Sequence, residues 1–329
     1  MKNKDIIFFS VDRLGDYIIR SNVIKKISDN FDHKEIVCSE KNFKLINSQS
    51  FFNNVYLFNS NNKFLEKIKF IKKFFLKKYD SIIVFDGKNI SNILLFIIKA
   101  NFKFTFIYKN KGALNYIYRS FLIFICDILK INYEILHSRH LIENNNIDNY
   151  PKKYKKLNFY FNNIDSHTYY LETTNINIYD NFLNKFIIIH LDEKFKDIKN
   201  INHNFESSIR NFQKSLGKKV FLTSFNNNFD YYRNLNFIKI DFKSLENKIM
   251  NDSKILIVEN MPLNYFQNLM KNSYLNISCH SGFFVHTSLS LNKKTIDIIN
   301  KSDEIWLDAW IDDKKNYRKV YKSNMKEKI

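Results

Sequence analysis

The sequence predicts an α/β protein of two domains, each built on a parallel sheet covered by helices. Short apolar runs alternate with helical patterns along the chain, and this alternation stops near the middle and then begins again. The 329 residues exceed the roughly 100–200 that one domain usually takes. A hydrophobic content of 45% is enough for packed cores, which excludes a wholly disordered chain.

In the first half, each short apolar run predicts a strand. These runs lie at 5–11, 34–38, 54–58, 80–86 and 103–108. Helical patterns occupy the segments between and after them, near 16–29, 41–48, 62–78, 88–100 and 112–130. We therefore predict an N-terminal domain over residues 1–150.

An Asn- and Tyr-rich stretch without a clean period then predicts a linker at 151–182. Strands are predicted after it at 186–191, 219–223, 236–240, 253–258, 274–278 and 295–299. Helices are predicted near 203–216, 262–272, 282–291 and 303–311. These elements predict a C-terminal domain over residues 183–329.

The formal net charge of +19 suits an anionic partner. However, only seven of the 52 basic residues are Arg, and the abundance of Lys, Asn, Ile, Phe and Tyr is typical of an AT-rich genome. We therefore expect no nucleic-acid partner. The three cysteines form neither a disulfide framework nor a metal-ligand spacing, which suits a reducing compartment. No signal peptide or spanning apolar run is visible, so we expect a cytoplasmic protein.

The first candidate site is the segment Arg13-Leu14-Gly15-Asp16, which follows the first predicted strand. In open α/β sheets, ligands bind at the carboxyl ends of strands, and a glycine there allows backbone to approach a ligand. Asp16 has two interpretations. It is either the N-cap of the following helix or a general base for a substrate hydroxyl, and a helix N-terminus favours the ionised carboxylate that a base requires.

A second candidate site lies in "NSYLNISCHSGFFVHTSLSLNKKTIDII", residues 272–299. Here a predicted strand is followed by the turn Ser281-Gly282 and a helix. Such a turn offers backbone N–H groups and a hydroxyl to a phosphate. Nucleotide-sugar donors carry a diphosphate, which such a turn could bind.

These two segments together resemble glycosyltransferase family 9, the heptosyltransferases. The resemblance implies the GT-B fold, in which two Rossmann-like domains face a cleft. It implies that Asp16 is the general base, and that Arg13 and Gly15 lie on the acceptor side. The positions that match the second signature are Ser281, Gly282, His286, Lys293 and Thr295. This chain departs from the signature with His280 in place of Asp, one extra residue before His286, and Lys294 in place of Pro.

The same resemblance suggests further contacts with the donor. Lys194, with Lys196 as the alternative, corresponds to a lysine that binds the donor phosphate. Glu259 follows a predicted strand, and it either accepts hydrogen bonds from ribose or has a loop or capping role. His280 and His286 are expected on the donor side, although a helix histidine such as His286 is equally well explained by packing.

On the acceptor side, Arg139 lies between His137 and His140 near the end of the first domain, and we predict that it contacts the acceptor. These three side chains lack acidic or Cys partners at metal-ligand spacing, so no metal site is predicted. The helical segment 63–78 is predicted to have many lysines around one apolar face, which is formed by Phe64, Leu65, Ile68, Ile71, Phe74 and Phe75. It is either a helix packed on the sheet with a solvated lysine face, or a surface for an anionic glycolipid or membrane.

The resemblance therefore implies an inverting, metal-independent glycosyltransferase that needs no cofactor. It would move a sugar such as heptose from a nucleotide-diphosphate sugar, with an ADP-sugar favoured, to lipopolysaccharide or another surface glycan. We expect peripheral contact with the cytoplasmic face of an anionic inner membrane. Two alternatives remain: a non-catalytic basic protein of the same fold that binds glycans or membranes, and a nucleotide-sugar epimerase.

Overall fold

A computed structural model describes residues 4–109, 112–137, 155–161, 185–191, 201–224, 238–241, 256–259, 261–304, 307, 311 and 315–325. The chain divides into two compact units, Met1–Glu172 and Thr173–Ile329. Most of the predicted linker lies outside the described residues, so the predicted domain limits stay a prediction. Within the described residues, no helix combines the length and the apolarity that crossing a bilayer requires.

The first unit contains one six-stranded parallel sheet in the order β3-β2-β1-β4-β5-β6. Its strands are β1 (Asp5–Ser10), β2 (His33–Ser39), β3 (Asn54–Phe58), β4 (Lys78–Val84), β5 (Lys99–Lys109) and β6 (Asn132–His137). Its helices are α1 (Leu14–Ser28), α2 (Glu40–Asn47), α3 (Phe64–Lys72), α4 (Asn89–Ile97), α5 (Ala113–Ile128) and α6 (Lys155–Tyr160). Strand order 3-2-1-4-5-6 is that of Rossmann-type sheets.

The second unit contains a seven-stranded parallel sheet in the order β13-β12-β11-β7-β8-β10-β9. Its strands are β7 (Phe186–His190), β8 (Lys219–Thr223), β9 (Ile238–Asp241), β10 (Leu256–Glu259), β11 (Leu275–Ser278), β12 (Thr295–Ile299) and β13 (Tyr317–Tyr321). Its helices are α7 (Ile201–Leu216), α8 (Leu263–Asn272), α9 (Gly282–Ser290) and α10 (Lys322–Met325), with a 3₁₀ turn at Lys301–Asp303. The predicted α/β class, with parallel sheets and Rossmann-like units, is confirmed.

Strands β6 and β13 were not predicted. Each lies at the edge of its sheet, where one side lacks a neighbouring strand. An edge strand carries polar side chains among apolar ones, as in "NYEILH" and "YRKVY", so it shows no continuous apolar run. The prediction of a helix over 88–100 was too long, because α4 ends at Ile97 and β5 begins at Lys99. No Gly or Pro marks this junction, since Ile98 is the single residue between the two elements.

The predicted apolar face of segment 63–78 is only partly correct. The helix ends at Lys72, and Phe70 and Phe74 are buried in the core. Phe64, Leu65 and Phe75, which were predicted on the same face, are more than half exposed instead. Residues beyond Lys72 no longer follow the helical period, which explains the exposure of Phe75, whereas Phe64 and Leu65 lie in the first turn of α3.

Each sheet contains a switch point, where neighbouring strands continue to opposite sides of the sheet. In the first unit it lies between β1 and β4, and in the second between β7 and β11. Ligands of open α/β sheets bind at the carboxyl ends of strands beside such a switch point. The loops after β1 and β4, and the loop after β11, are therefore where each unit is expected to hold a ligand.

Candidate functional site

The carboxyl end of β1 carries a buried ion pair. Asp12 follows the strand, and its carboxylate contacts the guanidinium of Arg20 on α1, with side chains that are 9% and 7% exposed. Arg20 Nη2 also donates to the Tyr108 hydroxyl at 3.0 Å. That hydroxyl donates to the Phe85 carbonyl at 2.9 Å. These contacts tie together the ends of β1, β4 and β5.

Burial changes the titration of this cluster. Desolvation raises the pKa of Asp12 to about 6, because Arg20 only partly offsets it and the nearby charges of Asp16 and Asp86 raise it further. Burial likewise raises the pKa of Tyr108 to about 12. Three carboxylates therefore share this end of the sheet with the buried Arg20, a composition that disfavours binding of a further anion.

Asp86 anchors the neighbouring loop after β4. Its carboxylate accepts hydrogen bonds from the Val11 N–H at 2.6 Å and from the Ser91 hydroxyl at 2.9 Å. Gly87 follows with φ of +60°, and a Cβ at this position would lie 2.6 Å from Tyr108 Cδ2. Glycine is therefore required here, both by the left-handed backbone and by the tyrosine ring.

Asp16 lies at the edge of this network and is partly exposed. It is not the N-cap of the helix: α1 begins at Leu14, the N-cap is Arg13, and the Asp16 carboxylate accepts the Arg13 N–H at 3.3 Å. Gly15 lies inside the first helical turn, so no positive φ explains it. The Arg13 side chain is exposed. The segment thus presents one accessible carboxylate next to two buried ones.

In the second unit, a buried carboxylate holds the loop between β11 and α9. Asp297 on β12 accepts the His280 backbone N–H at 2.8 Å and the Tyr317 hydroxyl at 3.1 Å, and His280 Nδ1 lies 3.4 Å away. His280 has a left-handed φ of +50°, which is uncommon outside glycine. Asp297 therefore stabilises the turn that leads to Ser281.

Ser281 and Gly282 begin α9. Ser281 is the N-cap, and its side chain makes no capping hydrogen bond within the described part of the chain. A Cβ built at Gly282 would meet nothing within 4 Å, so the space beside the first turn is open. Backbone N–H groups of a helix start beside open space suit an anionic phosphate.

Four polar residues lie in register across this end of the second sheet. Asp297, Ser278, His190 and Thr223 occupy neighbouring positions on β12, β11, β7 and β8, and all are buried. His190 Nδ1 lies 3.1 Å from Thr223 Oγ1, and its ring stacks on Phe284 of α9 with centroids 5.0 Å apart. Burial lowers the pKa of His190 to about 3, so its imidazole is neutral near pH 7.

The other predicted site residues have different placements. His286 lies within α9 and is 6% exposed, so the surrounding protein covers most of its side chain. Glu259 is the last residue of β10. Lys194, Lys196 and Arg139 lie outside the described residues. Among the residues that are described, no group of three His, Cys, Asp or Glu side chains is placed to hold a metal ion.

The structure therefore brings predicted residues together in two places: Arg13, Gly15 and Asp16 in the first unit, and the loop 280–282 in the second. Sequence reasoning missed Asp12, Arg20, Asp86 and Asp297. Asp12 and Asp86 follow buried strands, and Asp297 interrupts the apolar run "TIDII", so each carried a readable signal. The pairing of Asp12 with Arg20 carried none, because it depends on where α1 packs.

No protein-family model and no curated protein sequence matches this chain. Solved structures do match it in fold. A glycosyl transferase of family 9 from Veillonella parvula superposes with a TM-score of 0.66 at 12% identity, covering 98% of this chain and 87% of that one. The heptosyltransferase WaaC of E. coli, solved with ADP, gives a TM-score of 0.61 at 10% identity, covering 98% of both chains.

A UDP-GlcNAc 2-epimerase from Methanocaldococcus jannaschii is also similar, with a TM-score of 0.52 at 14% identity, covering 98% of this chain and 89% of that chain. At these identities the likeness establishes the fold alone. The predicted resemblance to glycosyltransferase family 9 is confirmed at that level. The chain therefore has the GT-B-type fold of the family 9 heptosyltransferases, which nucleotide-sugar epimerases share.

Proposed function

We propose that this protein is an inverting glycosyltransferase that takes a sugar from a nucleotide-diphosphate sugar and passes it to a hydroxyl group of an acceptor. The observation that carries this proposal is the position of Asp16. It is a partly exposed carboxylate beside the switch point of the first sheet, next to the buried network of Asp12, Arg20 and Asp86. The fold similarity to family 9 glycosyltransferases agrees with it.

In the proposed reaction, Asp16 accepts the proton of the acceptor hydroxyl as that oxygen bonds to the anomeric carbon. The bond from the anomeric carbon to the diphosphate oxygen breaks, and the nucleoside diphosphate leaves with the electron pair. Attack opposite the leaving group inverts the anomeric configuration. Asp12 is less suited to this role, because it is buried and already contacts Arg20.

The donor side is assigned to the second unit. Backbone N–H groups at the start of α9, together with the Ser281 hydroxyl, would bind the diphosphate and stabilise its charge as it leaves. We propose that the donor is an ADP-sugar whose sugar is heptose or a related one, by analogy with the E. coli heptosyltransferase solved with ADP. Lys194 and Glu259 remain predicted donor contacts, and Arg139 a predicted acceptor contact.

We further propose an anionic glycolipid or surface glycan as the acceptor, and a cytoplasmic location at the inner membrane. The net charge of +19 supports an anionic acceptor. Transfer to lipopolysaccharide is the specific form of this proposal.

The decisive variant is Asp16→Asn. Asparagine keeps an oxygen that accepts the Arg13 N–H, so the first turn of α1 stays intact, but it cannot accept the acceptor proton. Turnover should fall by about 10²–10⁴-fold, while binding of the nucleotide-sugar is retained. The matched control is Asp29→Asn at the other end of α1, which should leave turnover unchanged. Wild-type turnover in Asp16→Asn would remove Asp16 as the base.

The donor is identified first, by thermal-shift screening against ADP-, UDP-, GDP- and CMP-sugars. A ligand that binds only the folded state raises the unfolding temperature with its concentration and affinity. We expect the largest shift with an ADP-sugar. An equal shift with every nucleotide-sugar, or none, would contradict the assignment of the donor.

Two observations each favour one of the alternative functions. The fold similarity to an archaeal epimerase favours an enzyme that changes the donor sugar itself. Such an enzyme would convert the donor with no acceptor present. His280 in place of the family's Asp favours a non-catalytic binding protein, which would bind donor or glycan without turnover. A product assay with and without acceptor separates the three.

A further inference from the structure

Helices α3, α4 and α5 cover one face of the sheet in the first unit. Their inward side chains, among them Phe70, Leu95 and Leu122, share one core cluster with β1, β4 and β5. Helices α1 and α2 lie on the opposite face, because right-handed crossovers that add strands in opposite directions place their helices on opposite sides. The Tyr118 hydroxyl of α5 donates to Asn89 Oδ1 at the start of α4, so these helices are neighbours.

The outward side of α5 is apolar along its length. Five large apolar side chains on α5 are each more than half exposed: Leu114, Ile117, Phe121, Phe124 and Ile128. Their spacing of three and four residues aligns them in one stripe on the helix surface. A soluble helix normally presents polar side chains on this side. Contiguous exposed apolar surface of this kind marks an interaction site.

The segment that contains α3 adds apolar and basic groups on the same side of the sheet. Its exposed apolar side chains are Phe64, Leu65, Phe75 and Leu76. Its exposed lysines are Lys63, Lys69, Lys72, Lys73 and Lys78. In this segment Glu66 is the one acidic residue described between 63 and 78, so the surface carries a clear positive excess.

We propose that this surface, the exposed outer side of α3 and α5, docks on an anionic lipid bilayer. Aromatic and aliphatic side chains would enter the boundary between headgroups and acyl chains, while the lysines stay among the anionic headgroups. Charge distinguishes this occupant from a second copy of the chain. Two copies that met through this surface would bring the α3 lysines of both together, whereas an anionic bilayer attracts them.

The proposal rests on the first unit alone and does not require transferase activity. It places the main insertion on α5, which the sequence did not identify as a surface element, and assigns the charge contribution to α3. Since these apolar side chains are each more than half exposed, polar substitutions there should leave folding largely unaffected.

The test uses the full chain in co-sedimentation with vesicles of phosphatidylcholine alone and of phosphatidylcholine mixed with phosphatidylglycerol. We expect binding to the mixed vesicles that weakens as salt is raised. The variant Ile117→Gln, Phe121→Gln, Phe124→Gln should lower partitioning by about tenfold or more, since it removes apolar surface that would be buried. Circular dichroism confirms that the variant is folded.

A charge-matched pair of variants separates this surface from non-specific attraction by the net charge. Lys72→Glu with Lys73→Glu should weaken binding to the mixed vesicles strongly. Lys41→Glu with Lys44→Glu makes the same change on α2, on the opposite face of the sheet, and should weaken it far less. Equal losses in both would overturn the proposal, because charge without a specific surface would then explain binding.

A fluorophore attached at position 121 would report directly whether α5 inserts into the bilayer. Cys38, Cys126 and Cys279 are buried, so the thiol of Phe121→Cys can be labelled selectively with an environment-sensitive fluorophore. Its emission should shift to the blue on addition of mixed vesicles. No shift, or a shift caused by raising protein concentration without lipid, would overturn the proposal. The second result would assign the surface to contact between copies.

Discussion

The carboxyl ends of the two sheets are built from different chemistry. In the first unit, three carboxylates share the site with a buried guanidinium, and Asp12 and Arg20 are held as an ion pair. In the second, His190 and Thr223 are neutral, Ser278 is a hydroxyl, and the carboxylate of Asp297 already accepts hydrogen bonds from the loop. Both ends lie beside a switch point, so position in the fold does not explain the difference.

The difference agrees with the proposed division of the reaction between an acceptor side and a donor side. A group of carboxylates repels a diphosphate but suits a proton acceptor, whereas neutral side chains beside an open helix start suit an anion. Because Asp12 and Arg20 are both buried, the site of the first unit is stable only while each of these charged side chains keeps its partner. The second site depends on backbone N–H groups at the start of α9 and on the buried Asp297 carboxylate that holds the loop before it.

The largest effect is expected for Arg20→Met. It leaves Asp12 buried without its partner, which should lower the free energy of unfolding by about 3–5 kcal/mol. Urea unfolding measures this. The control is Lys25→Met on the same helix, whose pair with Asp29 is more exposed and should cost no more than about 1 kcal/mol. Similar losses in both variants would show that the first site does not depend on the buried pair.

Substitution of one glycine in each site tests how much space the surrounding residues leave for a side chain. Gly87→Ala should lower the free energy of unfolding by about 2–4 kcal/mol, because the methyl group meets the Tyr108 ring and the backbone is left-handed. Gly282→Ala meets open space in a helix, so stability should be unchanged or rise by up to about 1 kcal/mol. Thermal unfolding of both variants is the measurement. The comparison fails if Gly282→Ala is the more destabilising.

His190 gives the second unit a dependence on pH. Burial lowers its pKa from 6.5 to about 3, so the unfolded chain binds more protons between these values. The free energy of unfolding should therefore fall by about 2 kcal/mol between about pH 7.5 and about pH 5 from this group.

The variant His190→Phe keeps an aromatic ring against Phe284 but has no proton to bind. Urea unfolding of both proteins at the two pH values isolates the contribution of His190 as a difference in slope. If the variant and the wild type lose stability equally on acidification, this histidine is not the source.

The smallest effect on stability is expected for Ser281→Ala. Its side chain makes no capping hydrogen bond within the described residues, so the free energy of unfolding should change by less than about 0.5 kcal/mol. Affinity for the nucleotide-sugar should fall by about fivefold, the value of one hydrogen bond.

The matched N-cap serine of the first unit is Ser39, whose hydroxyl donates to the Asp12 carbonyl at 2.7 Å. Ser39→Ala should cost about 0.5–1.5 kcal/mol. Thermal unfolding should show the larger loss of stability in Ser39→Ala. Titration with the nucleotide-sugar should show the larger loss of affinity in Ser281→Ala. A Ser281→Ala protein as destabilised as Ser39→Ala would make Ser281 a structural cap.

Local sequence predicted the class of fold and the position of both loops, because buried strands are apolar runs and residues near them in sequence stay near them in space. It placed Asp16 near the start of α1 and Ser281 with Gly282 at the start of α9. It did not give the edge strands β6 and β13, whose mixed polarity resembles loops. Nor did it give the early end of α3, beyond which Phe75 is exposed.

What the sequence determined by itself is therefore the α/β alternation and the residues that follow each strand, since both depend on short-range pattern. Only the tertiary structure decided that Arg20 pairs with Asp12, that Asp297 holds the His280 loop, and that His190 is buried and neutral. These contacts join residues on different strands and helices. Burial and pairing are properties of packing, and packing is set by how the elements meet rather than by the residues within any one of them.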